Sequence, residues 1–267
     1  MRQFDAHLHL QDTRLDPHRE RLIAALREAD VAGLVTNGTS PADWPAVEAL
    51  AEAHPGWIRP AYGLHPWRVG QEPAGWLEEL RQRLQDNSDA TVGEVGLDQW
   101  IPGHDLARQR RAFEQQLDLA CELGRTVTIH CLKAWGPLLE TLQRRSALPP
   151  RMLLHSPGAS PEMIHQLAEM GCYFSVSGYF CAPHRTKYRQ ALQAFPLDRL
   201  LIETDAPDML GPEHCQVEEL RDLDQALLNS PRNLPMIYQC VADAKGIAME
   251  ELGESAERLF YTLFARS

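Results

Sequence analysis

The stretch DAHLH at residues 5–9, close to the start of the chain, is its most informative segment. It is short and mostly apolar, and His7 and His9 stand two positions apart in it. In a β-strand, residues i and i+2 point to the same face, so the two imidazoles would lie side by side. Neutral imidazole is a common ligand of zinc and related ions. The pair therefore suggests a metal site at a strand end, and the alternative is two ordinary core or surface histidines.

Beyond this segment, short apolar or β-branched runs alternate with longer amphipathic segments along the 267 residues. The runs predict eight strands, at residues 2–7, 33–36, 58–63, 91–95, 126–130, 152–155, 173–177 and 200–203. Helical spacing predicts helices at residues 17–29, 42–53, 76–84, 106–123, 135–145, 161–170, 188–195, 236–244 and 255–265. Strand–helix alternation is typical of a parallel sheet with crossover helices. Eight such units in a chain of this length predict one α/β domain over residues 1–267, a (β/α)8 TIM barrel.

Composition narrows the class of protein. Hydrophobic residues make up 44% and charged residues 24%, no apolar run reaches membrane-spanning length, and the N-terminus has no apolar signal region. The six cysteines are scattered without a Cys-x-x-Cys pair, which predicts reduced thiols in a cytoplasmic protein. A net charge of −11 argues against a broad basic surface for duplex nucleic acid, but not against a local pocket for one strand end or a small phosphorylated molecule. A monomer is the default expectation.

Acidic residues and histidines follow the predicted strands repeatedly. In a TIM barrel the active site lies at the C-terminal ends of the strands. Six of the eight predicted strands finish in such residues: His7 with His9, His65, Glu94, His130, His155, and Glu203 with Asp205. Buried imidazoles and carboxylates are costly unless they are paired or bind metal, and this mixture without thiolates suits Zn²⁺, Mn²⁺ or Mg²⁺. Because these candidate ligands outnumber the four of one tetrahedral site, we predict two divalent ions that share a carboxylate.

Taken in order, these segments resemble the TatD-related deoxyribonucleases, a branch of the metal-dependent hydrolases. The matching segments are DAHLH at 5–9, GLHP at 63–66, VGEVGLD at 92–98, IH at 129–130, HS at 155–156, SVSG at 175–178 and ETDAP at 203–207. They span nearly the whole chain, and DAPDM at 205–209 is most similar to a TatD-like subgroup. The resemblance implies a TIM barrel that hydrolyses phosphodiester bonds in DNA, with exonuclease action as one form.

The resemblance also implies roles for individual residues. One metal would be held by His7, His9, Glu94 and Asp205, and the second by Glu94, His130 and His155, with Glu94 as the bridge. Metals of this kind lower the pKa of a bound water and polarise the phosphoryl oxygen. Asp205 is the candidate that orients this water and takes its proton, and Glu203 is expected to bond a ligand histidine.

Substrate contacts are predicted around the same end of the barrel. His65 is a candidate hydrogen-bond partner for a phosphate oxygen, and Arg68 and Lys133 are candidate phosphate contacts. Trp67, Trp100 and Trp135 follow strands three, four and five, where indoles stack bases of a single or frayed strand or simply pack the loops. The expected partner is therefore a DNA end or single strand, or a small phosphorylated substrate.

Two positions depart from the family pattern. Leu132 stands where many members have an Arg two residues beyond the histidine of strand five, and Lys133 follows it. Leu234, in PRNLP at 231–235, stands where the family tends to have the Glu of Asn-Glu-Pro. Both positions belong to the region expected to meet substrate. Residues 211–229 have weak periodicity and are interpreted as a loop near the active site.

Two other functions remain open. An amidohydrolase-like enzyme acting on a small ester, lactone or amide would use the same barrel end, because fold does not determine function. Such enzymes often bridge their metals with a modified Lys on strand four, where this chain has Glu94 and no Lys. A non-catalytic scaffold that only binds metal is the third hypothesis, and the complete ligand set argues against it.

Overall fold

A computed structural model describes residues 1–264, and eight parallel strands form its main sheet in the order β1 to β8. The strands are β1 (Gln3–Leu8), β2 (Val31–Asn37), β3 (Ile58–Tyr62), β4 (Thr91–Asp98), β5 (Thr126–Leu132), β6 (Arg151–His155), β7 (Cys172–Val176) and β8 (Leu200–Ile202). Each strand pairs in parallel with the next one along the chain. The sheet with its alternating helices is a (β/α)8 TIM barrel, as predicted.

The barrel closes between β1 and the segment that follows β8. The backbone N–H of Asp205 donates to the carbonyl of His7 at 2.9 Å, and the N–H of His9 donates to the carbonyl of Ala206 at 2.7 Å. These two bonds continue the ladder beyond the last residue of β8. They also bring Asp205 beside His7 and His9, which are about 200 residues away in sequence.

Helices cover the outside of the barrel. They are α1 (Arg19–Glu28), α2 (Trp44–Ala53), α3 (Trp76–Asp86), α4 (Leu106–Leu123), α5 (Trp135–Gln143), α6 (Pro161–Glu169), α7 (Thr186–Ala194), α8 (Leu234–Lys245) and α9 (Met249–Phe264). The last helix packs against β1 and β8, where the rings of Phe4 and Phe260 stack with centroids 4.5 Å apart. Over residues 1–264, no helix is long and apolar enough to cross a membrane.

The predicted bounds differ from the observed ones mainly at two places. Strand β4 continues to Asp98, because its last residues pair with β5 up to Asp98 opposite Leu132. The helix predicted at residues 255–265 begins earlier, at Met249, since buried Leu252 and Ala256 extend the same apolar face, and position 265 lies outside the described residues. The weakly periodic residues 211–229 contain a 3-10 helix, Glu213–Cys215, and an antiparallel hairpin of β9 (Leu220–Arg221) and β10 (Leu227–Leu228).

Candidate metal centre

The six residues predicted as metal ligands lie together around the buried carboxylate of Glu94 on β4. One oxygen of this carboxylate, Oε2, lies 3.4 Å from Nε2 of His7 and 3.3 Å from Nε2 of His9. The other oxygen, Oε1, lies 2.9 Å from Nδ1 of His130 and 2.7 Å from Nε2 of His155. Each oxygen therefore faces a different set of ring nitrogens, and a carboxylate placed in this way can bridge two metal ions.

Asp205 completes the half of the centre that contains the first pair of histidines. Its Oδ1 atom lies 3.4 Å from Nε2 of His7 and 3.6 Å from Nε2 of His9. Among the described residues, Oδ1 of Asp205 and both ring nitrogens of His7 are buried without a hydrogen-bond partner. Buried polar atoms are costly unless something satisfies them. Of these atoms, Oδ1 of Asp205 and Nε2 of His7 face each other, so the residues fit a cation at this position.

Hydrogen bonds to the outer ring nitrogens select which nitrogen of each histidine faces the centre. Nδ1 of His9 lies 2.7 Å from the backbone carbonyl of Asn37, so this nitrogen carries the proton and Nε2 keeps its lone pair. Nε2 of His130 lies 2.9 Å from Oδ2 of Asp98, so Nδ1 keeps the lone pair and points to Glu94. Both rings therefore turn toward the centre the nitrogen that must be free of its proton to bind a metal.

Asp98, at the end of β4, links the centre to the surface above it. The indole N–H of Trp67 donates to its Oδ2 at 2.7 Å, and the backbone N–H of Trp100 donates to its Oδ1 at 2.6 Å. Burial raises the pKa of Asp98, but hydrogen bonds from His130 and Trp67 outweigh it and leave the pKa at about 2. The sequence assigned no role to this residue. Its position four residues after Glu94 on one strand, hence on the same face, is the signal that identifies it.

The pKa values within the centre show where protons sit without metal. Burial lowers the pKa of His7 to about 4. Burial also opposes the charged form of His9, but the hydrogen bond and charge of Glu94 outweigh it and raise the pKa to about 9. The pKa of Asp205 is raised to about 8, mainly by burial, with the charges of Glu203 and Glu94 adding to it. His9 and Asp205 thus hold protons near neutral pH that a metal ion would displace.

His65, predicted to contact substrate, lies directly against the bridging carboxylate. Its Nδ1 atom accepts the backbone N–H of Trp67 at 3.1 Å, so the proton of the neutral ring is on Nε2. That nitrogen lies 3.3 Å from Oε1 of Glu94. Burial lowers the pKa of His65 to about 4, which keeps the ring neutral. His65 is therefore a hydrogen-bond donor aimed into the centre.

The other predicted substrate residues lie on the surface around the centre. Arg68 and Lys133 are exposed, and no ion pair to either is found within residues 1–264. Trp67 and Trp100 are 43% and 54% exposed, with ring centroids 6.2 Å apart and planes inclined by 32°. Trp135, by contrast, is partly buried and packs against the hydrophobic core. Two of the three indoles are thus available to a ligand, and the third packs a loop.

Two further residues singled out in the sequence have clear positions. Glu203 lies beside a ligand histidine, with Oε1 3.8 Å from Nδ1 of His155, and its carboxylate also accepts the hydroxyls of Ser156 and Ser175. Leu234 does not meet a substrate, because it is fully buried at the start of α8. An apolar side chain there contributes to the core, where an unpaired Glu would be costly.

Comparisons with known proteins identify the family. The model of the family described as TatD related DNase matches residues 4–265. The chain is 30% identical over 264 residues to the 3′-5′ ssDNA/RNA exonuclease TatD of Pantoea ananatis, covering 98% of each protein. It is 31% identical over 264 residues to the protein of the same name from Pantoea sp. strain At-9b, again covering 98% of each.

A solved structure is similar throughout its length. The crystal structure of YjjV, a TatD homologue from Escherichia coli K12, superposes with a TM-score of 0.87 at 26% identity, covering 98% of this chain and 97% of that one. The match of the family model extends over almost all of the chain, including every residue of the centre. The chain therefore belongs to the TatD related DNase family, whose members are metal-dependent hydrolases.

Proposed function

We propose that this protein is an exonuclease that uses two metal ions to hydrolyse phosphodiester bonds in single-stranded nucleic acid. The proposal rests on the position of the Glu94 carboxylate between two pairs of histidines. One of its oxygens faces His7 and His9, and the other faces His130 and His155. Hydrolysis of a phosphodiester needs a water made nucleophilic and charge on the phosphoryl oxygens neutralised. A shared carboxylate between two ions provides for both at one position.

The donor set indicates the kind of metal. His7, His9 and Asp205 would hold one ion and His130 with His155 the other, with Glu94 shared between them. When bound, the ions supply a lower pKa for water and a Lewis acid for the phosphoryl oxygen. Four imidazoles and two carboxylates suit Zn²⁺ or Mn²⁺ better than Mg²⁺, which prefers oxygen ligands and retains water.

Two side chains would handle protons and orient the substrate. Oδ1 of Asp205 lies 3.4 Å from Nε2 of His7 and 3.6 Å from Nε2 of His9, so beside bound ions this carboxylate would orient the attacking water and take its proton. His65 presents the N–H of Nε2 beside Glu94, so it would donate a hydrogen bond to a phosphate oxygen.

A single strand fits the surface better than a duplex. Trp67 and Trp100 form an exposed aromatic pair on which unpaired bases can stack, and stacking tolerates any base sequence. Arg68 and Lys133 would contact phosphates of the same strand. The net charge of −11 argues against a broad basic surface for a duplex. The names of the relatives support a single strand of DNA or RNA and attack from the 3′ end.

We also propose that residues 1–267 act as one domain, as a monomer, in the cytoplasm. One continuous eight-stranded barrel supports the single domain. The cysteines are free thiols in the described structure, which supports a reducing compartment. Light scattering of the purified protein would test the monomer, and a mass of two chains would contradict it.

The test is degradation of labelled oligonucleotides after metal removal and readdition. We expect release of nucleotides from the 3′ end of single-stranded DNA or RNA with added Mn²⁺ or Zn²⁺, and little release from blunt duplex DNA. Replacing the proton acceptor in Asp205→Asn should reduce kcat by roughly 10²–10⁴-fold. Asp208→Asn, an exposed carboxylate three residues later that pairs with Arg14, is the matched control and should retain activity.

A panel of small esters, lactones and amides in the same assay separates the alternatives. Turnover of one of these compounds, with no cleavage of nucleic acid under any metal, would favour the amidohydrolase-like enzyme and overturn the proposal. Metal binding without turnover of either class would favour the scaffold. Unchanged cleavage by both Asp205→Asn and Glu94→Gln would show that another site carries the activity.

A further inference from the structure

Two thiols and an imidazole lie together in a second cluster, next to a third thiol, and share no residue with the centre around Glu94. One ligand atom of each of His214, Cys215 and Cys240 lies within 4.8 Å of the others. The thiol of Cys181 is within hydrogen-bonding reach of the Cys215 thiol as well. In the sequence these cysteines have no recognisable ligand spacing, and only the fold brings them together.

The four residues come from three separate parts of the fold. Cys181 ends the 3-10 helix Gly178–Cys181 that follows β7, and Cys240 lies on α8. His214 and Cys215 lie in the 3-10 helix Glu213–Cys215, within the connection from β8 to α8. This cluster, which we call the thiol cluster, is therefore the meeting point of two connections and a helix.

Glycines allow the two connections to approach closely at the thiol cluster. A Cβ atom added at Gly211 would lie 3.1 Å from the backbone carbonyl carbon of Gly178 and 3.3 Å from Cβ of Cys215. A Cβ atom added at Gly178 would also lie 3.3 Å from Cβ of Cys215. A side chain at either position would press on Cβ of Cys215, so glycine at both positions allows the two connections to approach closely.

Burial and charge distinguish the thiol cluster from ordinary core cysteines. Cys215 is 1% exposed, Cys181 and Cys240 are 8% exposed, and His214 is exposed and gives access from solvent. Hydrogen bonds with the thiols of Cys181 and Cys240 raise the pKa of Cys215, and the bond with Cys215 lowers the pKa of Cys240. Adjacent thiolates repel one another, so several can ionise together only beside a cation.

We propose that Cys181, His214, Cys215 and Cys240 form a structural zinc site. Three thiolates and one imidazole are a common donor set for structural Zn²⁺, and soft thiolate ligands select this ion over Mg²⁺ and Mn²⁺. Each thiol that binds releases its proton. The ion would tie the connection that follows β8, which includes Asp205, to α8 and to the turn after β7. It would thereby fix one wall of the active-site opening without taking part in hydrolysis.

The test uses Co²⁺ in place of Zn²⁺, because a thiolate bound to Co²⁺ gives an intense near-ultraviolet charge-transfer band. The centre around Glu94 contains no sulfur, so this band reports the thiol cluster alone. We expect the band in the wild-type protein and a loss of one metal equivalent with the band in Cys215→Ser and Cys240→Ser. X-ray absorption of the zinc-loaded wild-type protein should show sulfur neighbours at about 2.3 Å.

Two controls separate this inference from the proposed function. Cys121→Ser replaces a partly buried thiol on α4 and should keep the band, and Glu94→Gln should keep it while disturbing the other centre. Absence of the band and of sulfur neighbours in the wild-type protein would overturn the proposal. A disulfide that consumes two of these thiols in the reduced, zinc-supplemented protein would overturn it as well. The absorption measurement needs no variant, so a folding failure of the Cys→Ser proteins leaves the test intact.

Discussion

Asp98→Asn is the substitution that tests most directly how the fold selects the nitrogen that His130 presents to the centre. The Asp98 side chain is completely buried and receives four N–H groups. His130 and the Trp67 indole donate to Oδ2 at 2.9 and 2.7 Å, and the backbone N–H groups of Trp100 and Ile101 donate to Oδ1 at 2.6 and 3.2 Å. Asparagine keeps the shape but replaces one accepting oxygen with an NH₂ group. In either orientation of the amide, two donors then face another donor.

The magnitude follows from these contacts. A buried donor left without an acceptor costs about 1–3 kcal/mol, so two of them should lower the free energy of unfolding of the metal-free protein by about 2–6 kcal/mol. If the NH₂ group faces His130, the ring must move its proton to Nδ1 and can no longer bind metal there. Loss of an outer partner of this kind typically costs about 10–100-fold in metal affinity. That factor is about 1.4–2.8 kcal/mol of binding free energy.

The assay is a competition titration of Zn²⁺ against a coloured chelator, combined with urea unfolding of the metal-free protein. We expect Asp98→Asn to lower the affinity of the metal site that includes His130, while the other metal sites keep their affinity. Trp67→Phe is the matched control, because it removes a different donor to the same oxygen and leaves the bond from His130 in place. Its metal affinity should equal that of the wild-type protein.

A particular pair of results would refute this reasoning. If Asp98→Asn loses stability but binds every metal equivalent as tightly as the wild-type protein, Asp98 only supports the loop that carries Trp100. If Trp67→Phe lowers metal affinity as much as Asp98→Asn does, metal affinity depends on the orientation of the whole loop and not on the tautomer of His130.

Three other predictions concern the same end of the barrel. Because His9 and Asp205 have pKa values of about 9 and 8 without metal, both hold protons near neutral pH. Calorimetry in different buffers should therefore show proton release on zinc binding, and zinc affinity should rise with pH until the pH reaches these values. A zinc affinity that does not depend on pH would contradict this prediction. The double variant His7→Ala, His9→Ala should lose one metal equivalent from this centre by elemental analysis, and unchanged stoichiometry would refute the assigned ligands. Trp100→Ala should raise KM for single-stranded oligonucleotides and change kcat little, since stacking contributes about 1–3 kcal/mol per base. An unaltered KM would show that the indole packs without contacting substrate.

The sequence is most informative where local geometry repeats. Alternation of side chains along a strand places His7 and His9 on one face, and the structure has Nε2 of both rings beside the same oxygen of Glu94. The barrel rule then brings strand ends together, so His130, His155 and Asp205 could be grouped from their positions after apolar runs. These predictions depend on backbone periods of two residues, which short segments determine by themselves.

Contacts between distant segments were not predictable in the same way. The role of Asp98 depends on the path of the loops that bring Trp67 and Trp100 to its two oxygens. The buried position of Leu234 likewise follows from the packing of α8 on the barrel. No local pattern encodes either one, because each depends on where separate connections return to the barrel.

By itself, the sequence determined the strand order, the barrel and the residues that converge at its mouth, because neighbouring parallel strands carry their side chains in a regular alternation. Only the tertiary structure decided which nitrogen of His9 and of His130 faces the centre, since a backbone carbonyl and Asp98 hold the opposite nitrogens. The tertiary structure alone also gathered Cys181, Cys215 and Cys240, which look unrelated along the chain. No repeating sequence pattern predicts hydrogen bonds or close packing between remote segments, because these contacts form only when the whole chain has folded.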